Sequence, residues 1–289
     1  MKITIAKSSG YCFGVRDAVN LAYDAAEKHG EVYMLGDIVH NENVVKDLEE
    51  AGAKVVDKLD DIPKDKPVLL RAHGTIQDTW NNAKKKNLNI IDATCPLVHE
   101  IHREVKMLED EGRKIVIIGD HGHDEVMAIA DQVKNPIIIS TKEEVSSLKR
   151  TRKIGVVSQS TQMIENVQEI INALMMRIVD IRFINTICFP TKRNHEQIKD
   201  LAKTSDLMII IGSFTSANSK RLTELAKQRN ENTFQVTCAS DLKIEWFENV
   251  KSVGISAGAS TPDYLIKGVE NRINAVSYTH LTLPTNREV

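Results

Sequence analysis

A chain of 289 residues is long enough for two or three domains, and 42% hydrophobic with 27% charged residues is the make-up of a globular protein. A formal net charge of −2 lacks the basic excess of a nucleic-acid scaffold, and four cysteines are too few for a disulfide-dense secreted fold. The opening segment resembles no signal peptide, and no apolar run approaches the roughly 18 residues of a membrane helix, so a cytoplasmic protein without membrane or nucleic-acid partners is expected.

Strand-like runs alternate with amphipathic stretches along the chain. Strands are expected at 3–6, 32–35, 54–56 and 68–72, with helices at 15–29, 43–51 and 79–86. A second unit repeats the plan: strands at 90–91, 115–118, 137–139 and 154–157, helices at 98–112, 125–133, 142–148 and 164–176. A third has strands at 181–184, 207–211, 234–236 and 253–256, with helices at 192–203, 219–229 and 264–273. Strands separated by helices imply βαβ units and parallel sheets, and runs as apolar as 115–118 and 207–211 suit strands buried on both faces. The tail 277–289 has no helical period and follows a completed unit. It reads as extraneous and loosely attached.

The repeat is sharpest around three cysteines. Cys12, Cys95 and Cys188 each follow a β-like run and precede a helical stretch. A strand ending in glycine (Gly36, Gly119, Gly212) closes 24 residues after each of them. Four residues further stands a polar side chain: His40, His123 and Ser216. Such matches indicate an internal repeat that can bring three thiolates to one point. The fold expected is α/β: three quasi-equivalent small domains with parallel sheets around a central site. The units run 13–95, 96–187 and 188–276, the last joined by 1–12.

Widely separated thiolates without a C-x-x-C pair suit a metal site built by tertiary folding, and both iron–sulfur clusters and zinc accept sulfur ligands. A [4Fe–4S] cluster usually takes four cysteines; three would leave one iron open to a substrate. Cys238 has no counterpart in the other units and reads as a buried structural thiol. His40, His73 and His123 all follow strand ends, where open α/β sheets place their ligands. With Ser216, Asn218 and Ser260 they would form a ring of hydrogen-bond donors for a diphosphate or other polyanion, although a lone histidine is commonly just a surface side chain. Helix N-termini behind these loops would add N–H groups. Apart from Arg71, the loops hold few cations. Glu125 is either an ordinary charge in a first helical turn or a general acid for a leaving hydroxyl. No G-x-G-x-x-G or Walker-type motif follows any strand, which leaves dinucleotide and ATP binding weakly supported.

The motifs G-Y-C-F-G-V, V-H-N, R-A-H-G, D-A-T-C-P-L-V, G-H-x-E-V, N-T-I-C, G-S-x-x-S-x-N-S-x-R-L and S-A-G-A-S-T-P together resemble the 4-hydroxy-3-methylbut-2-enyl diphosphate reductase (LytB/IspH) family, from residue 1 to about 275. The resemblance implies one [4Fe–4S] cluster on Cys12, Cys95 and Cys188, with one open iron. It implies a diphosphate held by His40, His73, His123, Ser216, Asn218 and Ser260, with Glu125 as proton donor. Ser160, with Thr161 beside it, matches a threonine that lies near the substrate hydroxyl in the family. The implied reaction is reductive loss of water from the allylic alcohol diphosphate, giving isopentenyl and dimethylallyl diphosphates, with electrons from ferredoxin or flavodoxin. Two positions in the site depart from the pattern: Ala217 replaces a serine, and Asp124 replaces a common proline. Two other readings stay open at this level: a non-catalytic iron–sulfur redox sensor or electron carrier, and a zinc hydrolase.

Overall fold

The structure, a computed structural model, describes residues 1–282. In chain order it contains β1 (Lys2–Ile5), α1 (Phe13–His29), β2 (Val32–Leu35), α2 (Glu42–Glu50), β3 (Ala53–Val56), β4 (Pro67–Leu70), α3 (Gln77–Lys85) and β5 (Asn89–Asp92). Next come α4 (Pro96–Asp110), β6 (Lys114–Ile118), α5 (Asp124–Ala130), β7 (Ile137–Ile139), β8 (Lys153–Ser158), α6 (Ile164–Met175) and β9 (Asp180–Phe183). The last stretch holds α7 (Phe189–Thr204), β10 (Leu207–Ile211), α8 (Ala217–Lys227), β11 (Thr233–Val236), β12 (Ser252–Ala257) and α9 (Asp263–Thr282).

The strands form three four-stranded sheets in the orders β3-β2-β4-β5, β7-β6-β8-β9 and β11-β10-β12-β1, parallel throughout. The expected α/β class with parallel sheets is therefore observed. The three orders are the same once β1 takes the place that β5 and β9 hold in the other sheets. Each of these edge strands leads into one of the repeated cysteines. The third sheet obtains its edge from the N-terminus, where β1 pairs with β12 from Lys2↔Ser252 to Ile5↔Ile255.

The described residues fall into two compact units. One, Phe13–Lys192, contains the first two sheets; the other joins Met1–Cys12 to the chain from Arg193 onward and contains the third. The apolar strands behave as their composition requires. All of β10, and β6 from Ile115 on, are buried, because helices cover both faces of a parallel sheet. Ile209, Ile211, Val253, Ile255, Val269 and Ile273 make up much of the core of the β1-containing unit.

Three expectations need correction. The helix expected at 142–148 is a 3-10 turn over Lys142–Ser147. The last helix does not stop at 273 but runs to Thr282, so the first part of the supposed loose tail is helical. With no glycine or proline between Gly268 and Pro284, an existing helix gains one bond per added residue and has no local reason to end. The remainder of the tail, 283–289, lies outside the described residues. Cys238 is half-buried, not buried: it caps a 3-10 turn (Ala239–Asp241), with Sγ 2.9 Å from Ser240 Oγ. The Ser240 hydrogen bond lowers its pKa from the ordinary thiol range.

Candidate active site

Within Phe13–Lys192, three loops at the carboxyl ends of β2, β4 and β6 each deliver one histidine. Gly36 leaves β2 at φ +69, a left-handed conformation in which glycine carries no steric penalty. A side chain there would also overlap the Arg71 guanidinium. The two loops are knitted together where the Ala72 N–H donates to the Ile38 carbonyl at 3.2 Å. Asn41 then caps α2 by accepting from the N–H groups of Asn43 and Val44.

His40, His73 and His123 form one cluster. The His40 and His73 rings stack at 4.2 Å between centroids, and His123 meets them edge-on at 5.5 and 5.7 Å. His123 also caps α5, its Nδ1 accepting the Glu125 N–H at 3.1 Å. A neutral ring with Nδ1 as acceptor carries its proton on Nε2. Burial, reinforced by His40, His123 and Arg71, holds His73 well below the usual histidine pKa. Burial likewise lowers His40, opposed by Asp124 and Asp37. His73 Nδ1 is buried and has no hydrogen-bond partner among the described residues. An unsatisfied polar atom in such a place is costly, and a ligand oxygen would relieve it.

Glu125 is only 2% exposed. Its Oε1 accepts the Ser160 N–H at 2.6 Å and its Oε2 accepts the Ser160 hydroxyl at 2.8 Å. The same Ser160 ties in a cysteine, its carbonyl accepting the Cys188 N–H at 2.9 Å. Thr161 is half-buried beside it. Cys188 Sγ lies 3.0 Å from Thr191 Oγ1. Cys95, at the cap of α4, donates its N–H to the Ala72 carbonyl at 3.0 Å, next to His73. Its Sγ lies against Gly14, where a methyl group would overlap it. This unit therefore links Cys188, Ser160, Glu125 and the three histidines through direct contacts, and ties Cys95 to them through Ala72.

In the unit of β1 and β10, the Cys12 N–H donates to the Ala259 carbonyl at 3.3 Å, beside buried Ser260. Ser216 caps α8 by accepting the Ser219 N–H. Ala217 follows as the first helical residue, where its methyl offers no donor. Asn218 is 8% exposed, and its Nδ2 has no hydrogen-bond partner among the described residues. Asn194 braces the β12 end, donating to the Ala257 carbonyl and accepting from Ser256 at 3.1 Å each.

Four contributors were not singled out from sequence. Thr191, one helical turn past Cys188, could have been found from that spacing. Gln159 directly follows β8, and its Oε1 accepts the Asp120 N–H at 3.1 Å. Arg71 and Asp124 were noted only as an isolated cation and a departure, yet they form an ion pair, Nη1 to Oδ2 at 2.5 Å. Asp124 also lies 3.8 Å from His40 Nε2. His40, His73 and Asp124 bring ligand atoms within 4.8 Å of one another, a geometry that could hold a cation, but the Asp124 oxygen already carries a guanidinium.

Three parallel four-stranded sheets, with cysteines before the helices and a buried carboxyl beside an imidazole cluster at the strand ends, define an α/β protein of a distinctive class. Residues 3–274 match the model of the LytB protein family. Among curated relatives, the 4-hydroxy-3-methylbut-2-enyl diphosphate reductase of Geobacter metallireducens is 39% identical, covering 96% of this chain and 98% of that one. That of Geobacter sulfurreducens is also 39% identical, over 94% and 97%. A solved (E)-4-hydroxy-3-methyl-but-2-enyl diphosphate reductase, described as the terminal enzyme of the non-mevalonate pathway, superposes with a TM-score of 0.72 at 36% identity, covering 95% of this chain and 99% of that chain. The Plasmodium falciparum reductase superposes at 0.89 with 28% identity, over 98% and 89%. The chain belongs to the LytB protein family. Among the described residues, no helix is long and apolar enough to cross a membrane.

Proposed function

We propose that the protein reduces (E)-4-hydroxy-3-methylbut-2-enyl diphosphate to isopentenyl diphosphate and dimethylallyl diphosphate, the last step of the methylerythritol phosphate route. Two electrons and two protons enter, the allylic C–O bond breaks, a C–H bond forms and water leaves. The observation that carries this reading is the buried Glu125 carboxyl, held on both oxygens by Ser160 beside the imidazole cluster.

The donor set fits an iron–sulfur group. Cys12, Cys95 and Cys188 are free of disulfides and each immediately precedes a helix. Soft thiolates are the ligands that iron–sulfur clusters take. When bound, a [4Fe–4S] cluster on these three residues would supply single electrons and one iron without a protein ligand. His40, His73, His123, Ser216, Asn218 and Ser260 would hold the diphosphate. The unpartnered His73 Nδ1 and Asn218 Nδ2 support that role. Ser160 keeps Glu125 in one orientation, and with Thr161 lies near the substrate hydroxyl in this reading. Glu125 hands its proton to the departing oxygen, a step for which a fixed, water-shielded carboxyl is suited. Ala217 removes one donor, a loss of about 1 kcal/mol if nothing replaces it. The repeated units 13–95, 96–187 and 188–276 with 1–12 are taken as the domains. Ferredoxin or flavodoxin would deliver the electrons; both are soluble carriers, in keeping with a cytoplasmic enzyme.

Anaerobic reconstitution with iron and sulfide, followed by assay with a reduced viologen dye, tests the proposal. Turnover of the allylic diphosphate to both products is expected. A fully loaded brown protein that leaves the substrate unreduced refutes it.

A further inference from the structure

Arg71 is anchored independently of its acidic partner. Its Nε and Nη2 donate to the Leu35 carbonyl at 3.3 and 3.1 Å, and Gly36 leaves the space through which the guanidinium passes. The remaining nitrogen, Nη1, faces Asp124 Oδ2 at 2.5 Å, at the edge of the cluster of His40, His73 and His123. The Asp124 side chain is 36% exposed, against 23% for Arg71 and 21% for His40. The acid therefore has solvent to turn into, while the guanidinium stays where the Leu35 carbonyl holds it. The Asp124 carboxylate, 3.8 Å from His40 Nε2, is itself an anion at the edge of a cluster in which the buried His73 Nδ1 has no partner among the described residues.

We propose that Asp124 is an internal counter-anion: it holds the free side of Arg71 until the phosphate oxygens of a ligand displace it, so that Asp124 sets the strength of anion binding and Arg71 is a further ligand group. The inference rests on the diphosphate-site reading above. In the free protein the pair is neutral, which weakens the attraction of the site for anions generally. A diphosphate, with several oxygens and more than one charge, competes for the guanidinium better than a single phosphate does.

The test is calorimetric titration of the anaerobic cluster-loaded protein with inorganic pyrophosphate at several ionic strengths. Asp124→Asn should bind pyrophosphate about tenfold more tightly, because a like charge a few ångströms from the ligand is gone, and its affinity should fall more steeply with salt. Asp124→Ala should behave alike, and adding Arg71→Gln should cancel the gain. Melting curves and the cluster absorption show that each variant is folded, and a structural role alone would not alter the salt dependence. Equal or weaker pyrophosphate binding by both Asp124 variants, with wild type binding normally, overturns this inference alone. Binding that needs an added divalent cation and disappears in Asp124→Asn overturns it in favour of a metal site on His40, His73 and Asp124. No binding by any of the proteins overturns the diphosphate-site reading and this inference together.

Discussion

Gly14→Ala sets two opposing effects against each other at a cysteine. Gly14 lies in the first turn of α1 and is buried. Alanine is the better helix former by about 1 kcal/mol in a helix interior, and by less at a terminus. Against this, the new methyl carbon would stand 3.2 Å from Cys95 Cβ and would overlap Cys95 Sγ outright. Carbon contacts are comfortable at about 3.5–4.0 Å, so the sulfur must move by roughly 1 Å. Overpacking of this kind costs about 1–3 kcal/mol, which outweighs the propensity gain. A net loss of about 1–2 kcal/mol is expected, and the Cys95 thiol is displaced from the direction in which it would hold iron. The assay is thermal melting of the metal-free protein together with iron and sulfide content after anaerobic reconstitution. A lower melting temperature and substoichiometric iron are expected. A variant that melts at or above wild type and loads a full complement of iron would show that Cys95 has slack at this contact and that the reasoning is wrong.

Gly268 lies within α9 with nothing within 4 Å of where a Cβ would stand, so Gly268→Ala should instead stabilise by about 1 kcal/mol and raise the melting temperature by about 2–4 °C; an unchanged or lower value contradicts it. Glu125→Gln replaces a carboxyl that accepts twice from Ser160 with an amide that can accept on one side only. Iron content should persist while turnover drops about a hundredfold or more; undiminished turnover would show that Glu125 is not the proton donor. Burial, helped by His99 and Lys106, holds His102 at a pKa of about 4, below its ordinary 6.5. The unfolded chain then binds the proton first, so this stability is intact above about pH 6.5 and is lost progressively as pH falls toward 4. The full shift corresponds to about 3 kcal/mol, reduced to roughly 1–2 by the partial solvent access of the ring. His102→Gln should therefore lose less stability than wild type in urea melts between pH 7 and pH 5, and equal losses in both would count against the burial argument.

Much of this architecture can be read from the order of residues, because its determinants are local. Apolar runs such as Ile115–Ile118 declare buried parallel strands, and the fixed spacing from Cys12, Cys95 and Cys188 to three glycines declares a repeat. Ligands of open α/β sheets bind beyond the carboxyl ends of the strands, which marks His40, His73 and His123 as candidates from sequence, and their rings do touch. Local pattern misled where an element's end or environment depended on what surrounds it. α9 continues past Ile273 because nothing stops it, and Cys238 is half-buried because it caps a turn at the edge of its core.

What only the tertiary structure decided is pairing across the chain. That β1 completes a sheet with β12 depends on sheet order, which no local period encodes. That Ser160 holds both oxygens of Glu125, 35 residues away, through its backbone N–H and its hydroxyl depends on two strand-end loops meeting in the fold. Asp124 in sequence is merely an acid in a first helical turn; in the fold it faces an arginine that a distant carbonyl and a glycine hold in place. Residue type and spacing thus determined which groups were available and on which side of the sheets they would emerge. Their partners and protonation were decided by burial and by contacts a few ångströms long, which form only when segments remote in sequence pack together.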